Sequence, residues 1–418
     1  MRGRRAALAI VVGVVALIGA SSCGRDEEVG RVIRVPSDFS SIQSAVDSAR
    51  SGDLILVAPG TYHEAVVVET SRLTIRGEDR NDVILDGRDD LPNGFEVTVD
   101  GVAIENFTVH SYRQNGVLIS GAYARSSDGS VAVGTPGNSI SGYRVSYVTA
   151  YNNGLYGVYA FAAQNGLIEN VYASGHPDSG VYVGQCKPCN TVVRHVTAEN
   201  NAIGYFGTNS SGNIWIVQSV FVGNRLGVAP NSQSTEKLAP QEDAVIAGNL
   251  VADNDNPNAP EIRQGFFSGG IVVGAGTRNT VVRNRVTGHS WAGIAVMPMN
   301  AYRPENNTVK ENVLSANGID LVYIGVDKDG DGNCFAENVF ESSVPDRIET
   351  LLACSAPTGM GGPSDVEMEQ APRGPDYREI APPPRQTTMP GAATLPRTLA
   401  DAAPEFPVLE SIEVPDGR

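Results

Sequence analysis

The sequence predicts an all-β repeat fold, a solenoid built from short stacked strands. The chain holds 46 glycines and 25 prolines but only 6% aromatic residues, which favours many turns over a helical core. A glycine followed by an apolar residue recurs between residues 116 and 320. An apolar residue followed closely by Asn or His and another apolar residue recurs in many of the same units. Units this short cannot bury their own apolar faces, so they must stack.

The N-terminal 22 residues have the layout of a secretory signal peptide. Arg2, Arg4 and Arg5 precede an apolar stretch over 6–20, which is too short to span a bilayer comfortably. The sequence ASSC at 20–23 resembles a bacterial lipobox. That resemblance implies lipidation of Cys23 and an anchor on the extracytoplasmic face of a bacterial membrane, followed by a linker over 23–29. The alternative is an ordinary signal peptide with an incidental cysteine.

The chain is acidic, with 31 basic and 47 acidic side chains and a net charge of −16. Removal of residues 1–22 takes away three arginines, so the mature chain carries 28 − 47 = −19. Such a charge repels nucleic acid and anionic lipid headgroups. It favours neutral, cationic or metal-bridged partners.

The solenoid begins near residue 30. Ile42, Ala45, Val46 and Ala49 follow helical spacing, and the segment over 54–68 reads as strand, turn and strand. The repeat glycines then start tetrapeptides at 116, 157, 180, 204, 227, 270 and 293, with a variant at 320. Most steps are 23 or 24 residues. In a stack of such units, turn asparagines in register hydrogen-bond to one another.

This pattern resembles the right-handed parallel β-helix of the pectin-lyase-like superfamily. The resemblance implies that fold over 30–354, with a helix over 39–50 capping its N-terminal end. The opening also resembles pectin methylesterases, at Ile42-Gln43, Ala45-Val46 and the stretch 60–64. The downstream esterase motifs, the polygalacturonase Asp cluster and the lyase Arg-x-Pro-x-x-Arg are missing, so the shared opening indicates fold rather than activity. Residues 355–418 are rich in proline without a period, and we expect an extended or disordered tail.

The cysteines other than Cys23 form an even set. Cys186 and Cys189 lie in one predicted turn, and we expect a disulfide there. A zinc site with His176 and His195 is the alternative. Cys334 and Cys354 are expected to form a second disulfide that closes a loop of about 20 residues.

Three aromatic residues predict a ligand-binding face. The residues one and three places after each repeat glycine are mostly apolar and are expected to point inward, so the residue between them points outward. Tyr159, Tyr182 and Phe206 therefore form an outward stripe on consecutive rungs, a platform on which sugar rings can stack. Asn153 and Asn201 lie in the adjoining turns, where they can fix hydroxyl groups. The alternative is that an insertion within 228–265, or the tail, covers these rings. The stripe of Val272, Ala295 and Val322 lacks such chemistry and is expected to dock the tail.

An enzyme is the main rival to a binding protein. His176, Asp178 and Arg225, with Tyr182, can supply an acid and a base for elimination, epimerisation or hydrolysis. The His-Pro-Asp at 176–178 is only superficially similar to the Asp-Pro-His-Asp motif of mannuronate epimerases. Turn histidines and aspartates are also frequent for structural reasons, so a structural role of these residues is the alternative to a catalytic one.

The sequence contains candidate ligands for two metals, calcium and copper. Asp327, Asp329 and Asp331, followed by Gly332, resemble part of an EF-hand-type or dockerin-type calcium loop. Asn338 stands where such a loop has its final Glu, and plain surface turns are the alternative. Some β-helix proteins of similar repeat type take part in copper delivery to nitrous oxide reductase. Copper would need soft ligands, and the candidates in this chain are Met297, Met299 and His289.

The sequence thus predicts an extracytoplasmic, lipid-anchored β-helix protein that binds a cell-surface polysaccharide or glycan along an outward aromatic face. Its alternatives are a carbohydrate-active enzyme on the same face and a non-catalytic scaffold or assembly protein, including the copper-maturation type.

Overall fold

A computed structural model describes residues 30–121, 123–125, 131–133, 139–261, 267–325, 331–355, 366, 370–394 and 397–417. The predicted signal peptide, Cys23, Asp327 and Asp329 lie outside these residues.

Strands account for nearly all the regular structure of the N-terminal half. In chain order they are β1 (Val32–Val35), β2 (Leu54–Val57), β3 (Gly60–Tyr62), β4 (Val66–Val68), β5 (Thr74–Gly77), β6 (Val83–Asp86), β7 (Asn93–Val97), β8 (Val102–Glu105), β9 (Thr108–His110), β10 (Asn115–Ser120), β11 (Tyr123–Arg125), β12 (Val131–Val133), β13 (Ile140–Ser146), β14 (Thr149–Tyr151), β15 (Tyr156–Phe161), β16 (Ala163–Glu169) and β17 (Tyr172–Ser174).

The second half continues in the same manner. Its strands are β18 (Ser179–Gly184), β19 (Thr191–Arg194), β20 (Thr197–Glu199), β21 (Ile203–Thr208), β22 (Ser211–Val217), β23 (Val220–Val222), β24 (Leu226–Asn231), β25 (Glu242–Ala247), β26 (Leu250–Ala252), β27 (Gly269–Gly274), β28 (Thr280–Val282), β29 (Arg285–Thr287), β30 (Ala292–Met297), β31 (Thr308–Lys310), β32 (Val313–Ser315), β33 (Ile319–Tyr323), β34 (Cys334–Ala336) and β35 (Ser343–Val344).

The helices are short. They are α1 (Ile42–Ser48), α2 (Ile348–Leu351) and two 3₁₀ turns, Tyr377–Glu379 and Leu409–Ser411. Ser41 caps α1 by accepting a hydrogen bond from the Ser44 backbone N–H. The helix buries Ile42, Ala45 and Val46 within the main core. It lies where the sequence predicts a helix, and its role as an end cap stays a prediction.

The strands form three long parallel sheets, which confirms the predicted parallel β-helix. Sheet A runs β1-β2-β5-β8-β13-β16-β19-β22-β25-β28-β31-β34, sheet B runs β3-β6-β9-β14-β17-β20-β23-β26-β29-β32, and sheet C runs β4-β7-β10-β15-β18-β21-β24-β27-β30-β33-β35. Each rung, one turn of the coil, passes from sheet A to sheet B to sheet C. The inward positions predicted from the repeat glycines, such as Val158, Ala160, Val181 and Val183, belong to one continuous apolar core.

Polar side chains in three columns connect consecutive rungs inside the turns. Between sheets B and C, hydrogen bonds of 2.8–3.2 Å join Asn153, His176, Asn201, Asn224, Asn254, His289 and Asn317 in succession. A second column between sheets A and B joins Ser219, Asn249, Asn284, Asn312 and Asn338. A third, between sheets C and A, joins Gln241, Asn279, Asn307 and Asn333. These contacts confirm the predicted stacking of turn asparagines.

The described parts of the tail lie on the surface of the β-helix. Val366 packs beside Val272, Ala295 and Val322, the stripe for which tail docking was predicted. The tail then reaches the N-terminal rungs, where the Thr398 carbonyl accepts a hydrogen bond from Thr74 Oγ1 at 2.6 Å. It returns along sheet A, where Phe406 contacts Trp215 with 5.9 Å between ring centroids and Arg283 donates to the Leu409 carbonyl at 2.9 Å.

Both predicted disulfides are present. Cys186–Cys189 lies in the turn after β18, and Cys334–Cys354 joins β34 to the chain just after α2. The second bond closes a separation of 20 residues at the last rungs of the coil.

We expect the Cys334→Ser, Cys354→Ser double variant to lose about 3 kcal/mol of unfolding free energy, because the unfolded chain regains the entropy of that loop. Denaturant unfolding of the variant and the oxidised wild-type protein measures the difference. An unchanged unfolding midpoint would contradict a stabilising role for this bond.

Candidate functional site

The predicted aromatic stripe exists, but two of its three rings are buried and the third, Phe206, is partly buried. Tyr159 pairs in register with Tyr182, which pairs with Phe206, and their ring centroids are 4.8 and 5.9 Å apart. Tyr159 is only 9% exposed and Tyr182 only 2%. Tyr182 donates its hydroxyl hydrogen bond to Glu236, which lies in the chain between β24 and β25, at 2.9 Å. The arrangement matches the alternative in which residues within 228–265 cover this face, and it leaves little ring surface for a sugar.

His176 is a member of the buried column between sheets B and C. Its side chain is fully buried, Asn153 Nδ2 contacts Nε2 at 3.2 Å and Asn201 Oδ1 contacts Nδ1 at 2.8 Å. Because an amide nitrogen donates and an amide oxygen accepts, the imidazole is neutral with its proton on Nδ1. Burial lowers the pKa of His176 to about 4, against a smaller opposing effect of the Asn201 hydrogen bond. This neutral imidazole takes the place of an asparagine and does not face solvent.

The other residues predicted around His176 are also engaged. Asn153 and Asn201 are fully buried in the same column. Arg225 is 2% exposed and lies 3.2 Å from a Glu261 carboxylate oxygen, and it also donates to the Pro372 carbonyl of the tail. Asp178 is partly buried. The structure therefore does not assemble His176, Asp178 and Arg225 into an open group of catalytic side chains.

The buried histidines predict a specific pH dependence of stability. His289 repeats the arrangement of His176, and burial also lowers its pKa to about 4. Both imidazoles are neutral in the folded protein but protonate in the unfolded chain below a pH of about 6.5. Stability is therefore full above that pH and falls as the pH drops towards 4.

We expect the His176→Asn, His289→Asn double variant to lose less stability than the wild type between pH 7 and pH 5. The expected difference is about 2 kcal/mol for each histidine. The histidine is protonated in the unfolded chain but neutral in the folded protein over roughly 1.5 pH units of that interval. Denaturant unfolding at both pH values measures it. An equal loss of stability in the double variant and the wild type would contradict neutral imidazoles at His176 and His289.

A row of partly exposed polar side chains lies on the outer face of sheet B. Asp86 at the end of β6, His110 at the end of β9 and Tyr151 at the end of β14 are register partners on three consecutive rungs. His63 follows β3, on the N-terminal side of the same row. The next-to-last residue of each of these strands, Leu85, Val109 or Ala150, points into the core, so the last residue points outward. We call His63, Asp86, His110 and Tyr151 the sheet B row.

The sheet B row is a compact electrostatic unit. Asp86 places one carboxylate oxygen 3.6 Å from His63 Nδ1 and the other 3.8 Å from His110 Nδ1. The rings of His110 and Tyr151 are stacked, with centroids 4.5 Å apart and planes within 14°. The side chains of His63, Asp86 and His110 are 35%, 22% and 17% exposed. These groups are therefore accessible, in contrast to His176.

The pKa values of His110 and Tyr151 in the sheet B row are shifted by burial and by neighbouring charge. Partial burial lowers the pKa of His110, while Asp86 and Asp89 oppose that effect. Burial and the negative charge of Asp86 raise the pKa of Tyr151. At neutral pH the row therefore offers a neutral imidazole, a carboxylate and a protonated phenol, which together donate and accept hydrogen bonds.

The tail borders this row. The Ile380 carbonyl accepts a hydrogen bond from Asn152, in the turn after β14, at 2.8 Å. Arg385 pairs with Asp82, in the turn before β6, at 2.9 Å. Residues 381–384 therefore cross the outer face of sheet B between these two anchors. The crossing spans the same rungs as the sheet B row, from Asn152 beside Tyr151 to Asp82 just before the strand that ends with Asp86.

No motif in the sequence marks the sheet B row as a site. His63 belongs to the stretch 60–64, and Asp86, His110 and Tyr151 belong to none of the predicted sites. A signal was present, because 110 and 151 are 41 residues apart, the same step as between the repeat glycines at 116 and 157. Equal steps in two columns place both pairs on the same two rungs.

The described residues contain no group of three or more His, Cys, Asp or Glu side chains that could hold a metal ion. Within the predicted calcium loop, Asp331 accepts a hydrogen bond from the Tyr323 hydroxyl. Calcium binding by Asp327, Asp329 and Asp331 stays a prediction. His289, one of the residues considered for copper, has both ring nitrogens in hydrogen-bonding contact within its column. Of the helices that the structure describes, none has the length and apolar character needed to cross a membrane.

The comparisons with known proteins concern the fold. Residues 63–241 match the family model described as "Right handed beta helix region". No curated protein sequence matches the chain. Solved structures that are similar include the A-module of mannuronan C-5 epimerase AlgE4 from Azotobacter vinelandii, with 12% identity over 73% of this chain and 92% of that chain and a TM-score of 0.48. Pectate lyase Pel9A has 14% identity over 82% and 89%, with a TM-score of 0.46. ORF18 of Geobacillus virus E2 has 14% identity over 74% and 62%, with a TM-score of 0.51.

Identities this low show the fold alone, and the sheets and turns described above agree with it. The chain folds as a right-handed parallel β-helix, and its residues 63–241 match the family model of that region.

Proposed function

We propose that this protein binds a polysaccharide or glycan through the sheet B row. The observation that carries the proposal is the stacking of Asp86, His110 and Tyr151 in register on consecutive rungs, with polar groups that are partly exposed. Parallel strands repeat at about 4.8 Å. The row therefore presents donors and acceptors along a line, which suits an extended ligand with many hydroxyl groups.

The charge of the protein narrows the ligand class. With a net charge of −16 and Asp86 inside the row, the site disfavours strongly anionic polymers such as nucleic acid. A neutral or cationic glycan meets no such repulsion. The covered rings of Tyr159 and Tyr182 are not part of the proposed site.

The proposed location is the extracytoplasmic face of a bacterial membrane, with a lipid anchor on Cys23. Two disulfides support an oxidising compartment, because such bonds are rare in reducing ones. An anchored β-helix would hold its sheet B row towards the cell-surface glycans.

Acid–base chemistry on the same glycan is a second candidate function. The specific observation in its favour is the His63–Asp86–His110 arrangement, in which one carboxylate lies between two imidazoles. A neutral His110 can accept a proton, and a protonated Tyr151 can donate one. Hydrolysis by two carboxylates of the outward column of sheet B has less support, since Asp86 and Glu199 are four rungs apart in that column. That separation is about 19 Å at the strand spacing, beyond the roughly 5–10 Å that paired carboxylates need.

The binding proposal predicts that His110→Asn weakens glycan binding at least tenfold, because the row loses its central imidazole. The experiment applies the mature chain, with Cys23 replaced, to a glycan array and then measures affinity for each hit by calorimetry. His195→Asn is the matched control, because His195 is exposed in a turn between sheets A and B, outside the row. Equal affinities of His110→Asn and wild type for every hit would contradict the proposal.

The acid–base candidate predicts product formation on the glycan that binds. We expect the rate to persist at pH 6.5 and to fall at more acidic pH, because the pKa of His110 lies below its ordinary value and the free base is lost only there. Chromatography of the glycan after incubation at several pH values measures the product. Binding without product formation would contradict the acid–base function and leave glycan binding as the function.

A further inference from the structure

We propose that Tyr377 of the C-terminal tail is the outer wall of the glycan site and stacks on the bound sugar, so that the tail determines specificity. This inference rests on the proposed function of the sheet B row. It assigns an additional residue to the site from a segment far away in sequence.

The segment that carries Tyr377 is held on both sides by side chains of the β-helix. On its N-terminal side, the Gly374 N–H donates to Glu261 at 3.2 Å. On its C-terminal side, Asn152 donates to the Ile380 carbonyl at 2.8 Å, and Asn81 and Gln386 exchange hydrogen bonds of 2.8 and 2.9 Å. Anchors on both sides fix where the intervening residues lie.

The local conformation of the segment orients the tyrosine ring. Tyr377 begins a 3₁₀ turn that Asp376 caps by accepting from the Arg378 N–H at 3.0 Å. The Arg378 guanidinium also pairs with Asp376 and lies 5.7 Å from the centre of the Tyr377 ring. A cation over one part of the ring surface favours a defined ring position.

Tyr377 lies beside the rungs that form the sheet B row. A methyl group placed on Gly154, three residues after Tyr151, would lie 3.3 Å from the Tyr377 hydroxyl. Asp89 lies close to the sheet B row. Its backbone N–H donates to the Ser111 carbonyl at 2.7 Å, and the Ser111 hydroxyl lies 2.9 Å from His110 Nδ1. The negative charge of Asp89 acts on both Tyr377 and His110: it adds to the burial that raises the pKa of Tyr377, and it opposes the burial that lowers the pKa of His110.

The tail supplies a kind of surface that the rungs lack. His63, Asp86 and His110 offer polar contacts, and the Tyr151 ring is already stacked with His110. The partly exposed ring of Tyr377 offers an apolar face with a polar edge, which is the surface that binds the C–H face of a sugar. Polar groups on the rungs and an aromatic wall on the tail then contact different faces of one ligand.

The test uses the full mature chain and the glycan identified for the sheet B row. We expect Tyr377→Ala to weaken binding about tenfold and Tyr377→Phe to keep it within about twofold, because the ring rather than the hydroxyl makes the contact. Tyr302→Ala is the matched control, since Tyr302 is a partly buried tyrosine in the loop after β30, far along the coil. Affinity is measured by calorimetry.

A fluorescence titration separates direct contact from a structural effect. We expect the Tyr377→Trp variant to change its emission on saturation with the glycan, after subtraction of the wild-type signal from Trp215 and Trp291. The role of Tyr377 is contradicted if His110→Asn weakens binding while Tyr377→Ala does not and the tryptophan signal is constant. The sheet B row would then remain the binding site without Tyr377. If no glycan binds the wild type, both the proposed function and the proposed role of Tyr377 are contradicted.

Discussion

Each rung of this protein depends on hydrogen bonds to the rungs above and below it. Within the parallel sheets that requirement is met by the backbone, but every turn also leaves buried polar groups inside the coil. Asparagine meets it there because its amide both donates and accepts, so one side chain can serve the turn above and the turn below. The columns from Asn153 to Asn317 and from Ser219 to Asn338 are the result. They fix the register on which every outward column depends.

The same requirement explains why His176 and His289 are poor candidates for chemistry. A neutral imidazole also has one donor and one acceptor, so it can replace an asparagine between two amides. In the sequence, a turn histidine next to Pro177 and Asp178 has the same appearance whether it points inward or outward. The direction follows from backbone geometry, which residue types at a turn do not determine. His110, in contrast, ends a strand whose middle residue is buried, and that alternation directs it to solvent.

Much of the fold was predictable because it is periodic. The glycine steps predicted the strands of sheet C and their inward residues, and the even cysteine set predicted both disulfides. The aromatic stripe was placed in the correct register, but its exposure was not predictable, because Glu236 reaches Tyr182 from a segment without a repeat signal. The path of the tail was hidden for the same reason. Its proline-rich sequence shows an extended chain but carries no period that would align it with particular rungs.

A β-helix offers long, regular surfaces, and what distinguishes one part from another is what covers it. Here segments outside the repeat contact all three sheets: the chain between β24 and β25 on sheet C, residues 381–384 across sheet B, and residues 397–412 on sheet A. The row of His63, Asp86, His110 and Tyr151 lies beside such a crossing without being buried by it. Because a stack of similar rungs cannot by itself define where an extended ligand ends, the crossing tail gives this surface a boundary. A site with polar rungs on one side and an anchored aromatic residue on the other can then select a ligand by shape as well as by hydrogen bonding.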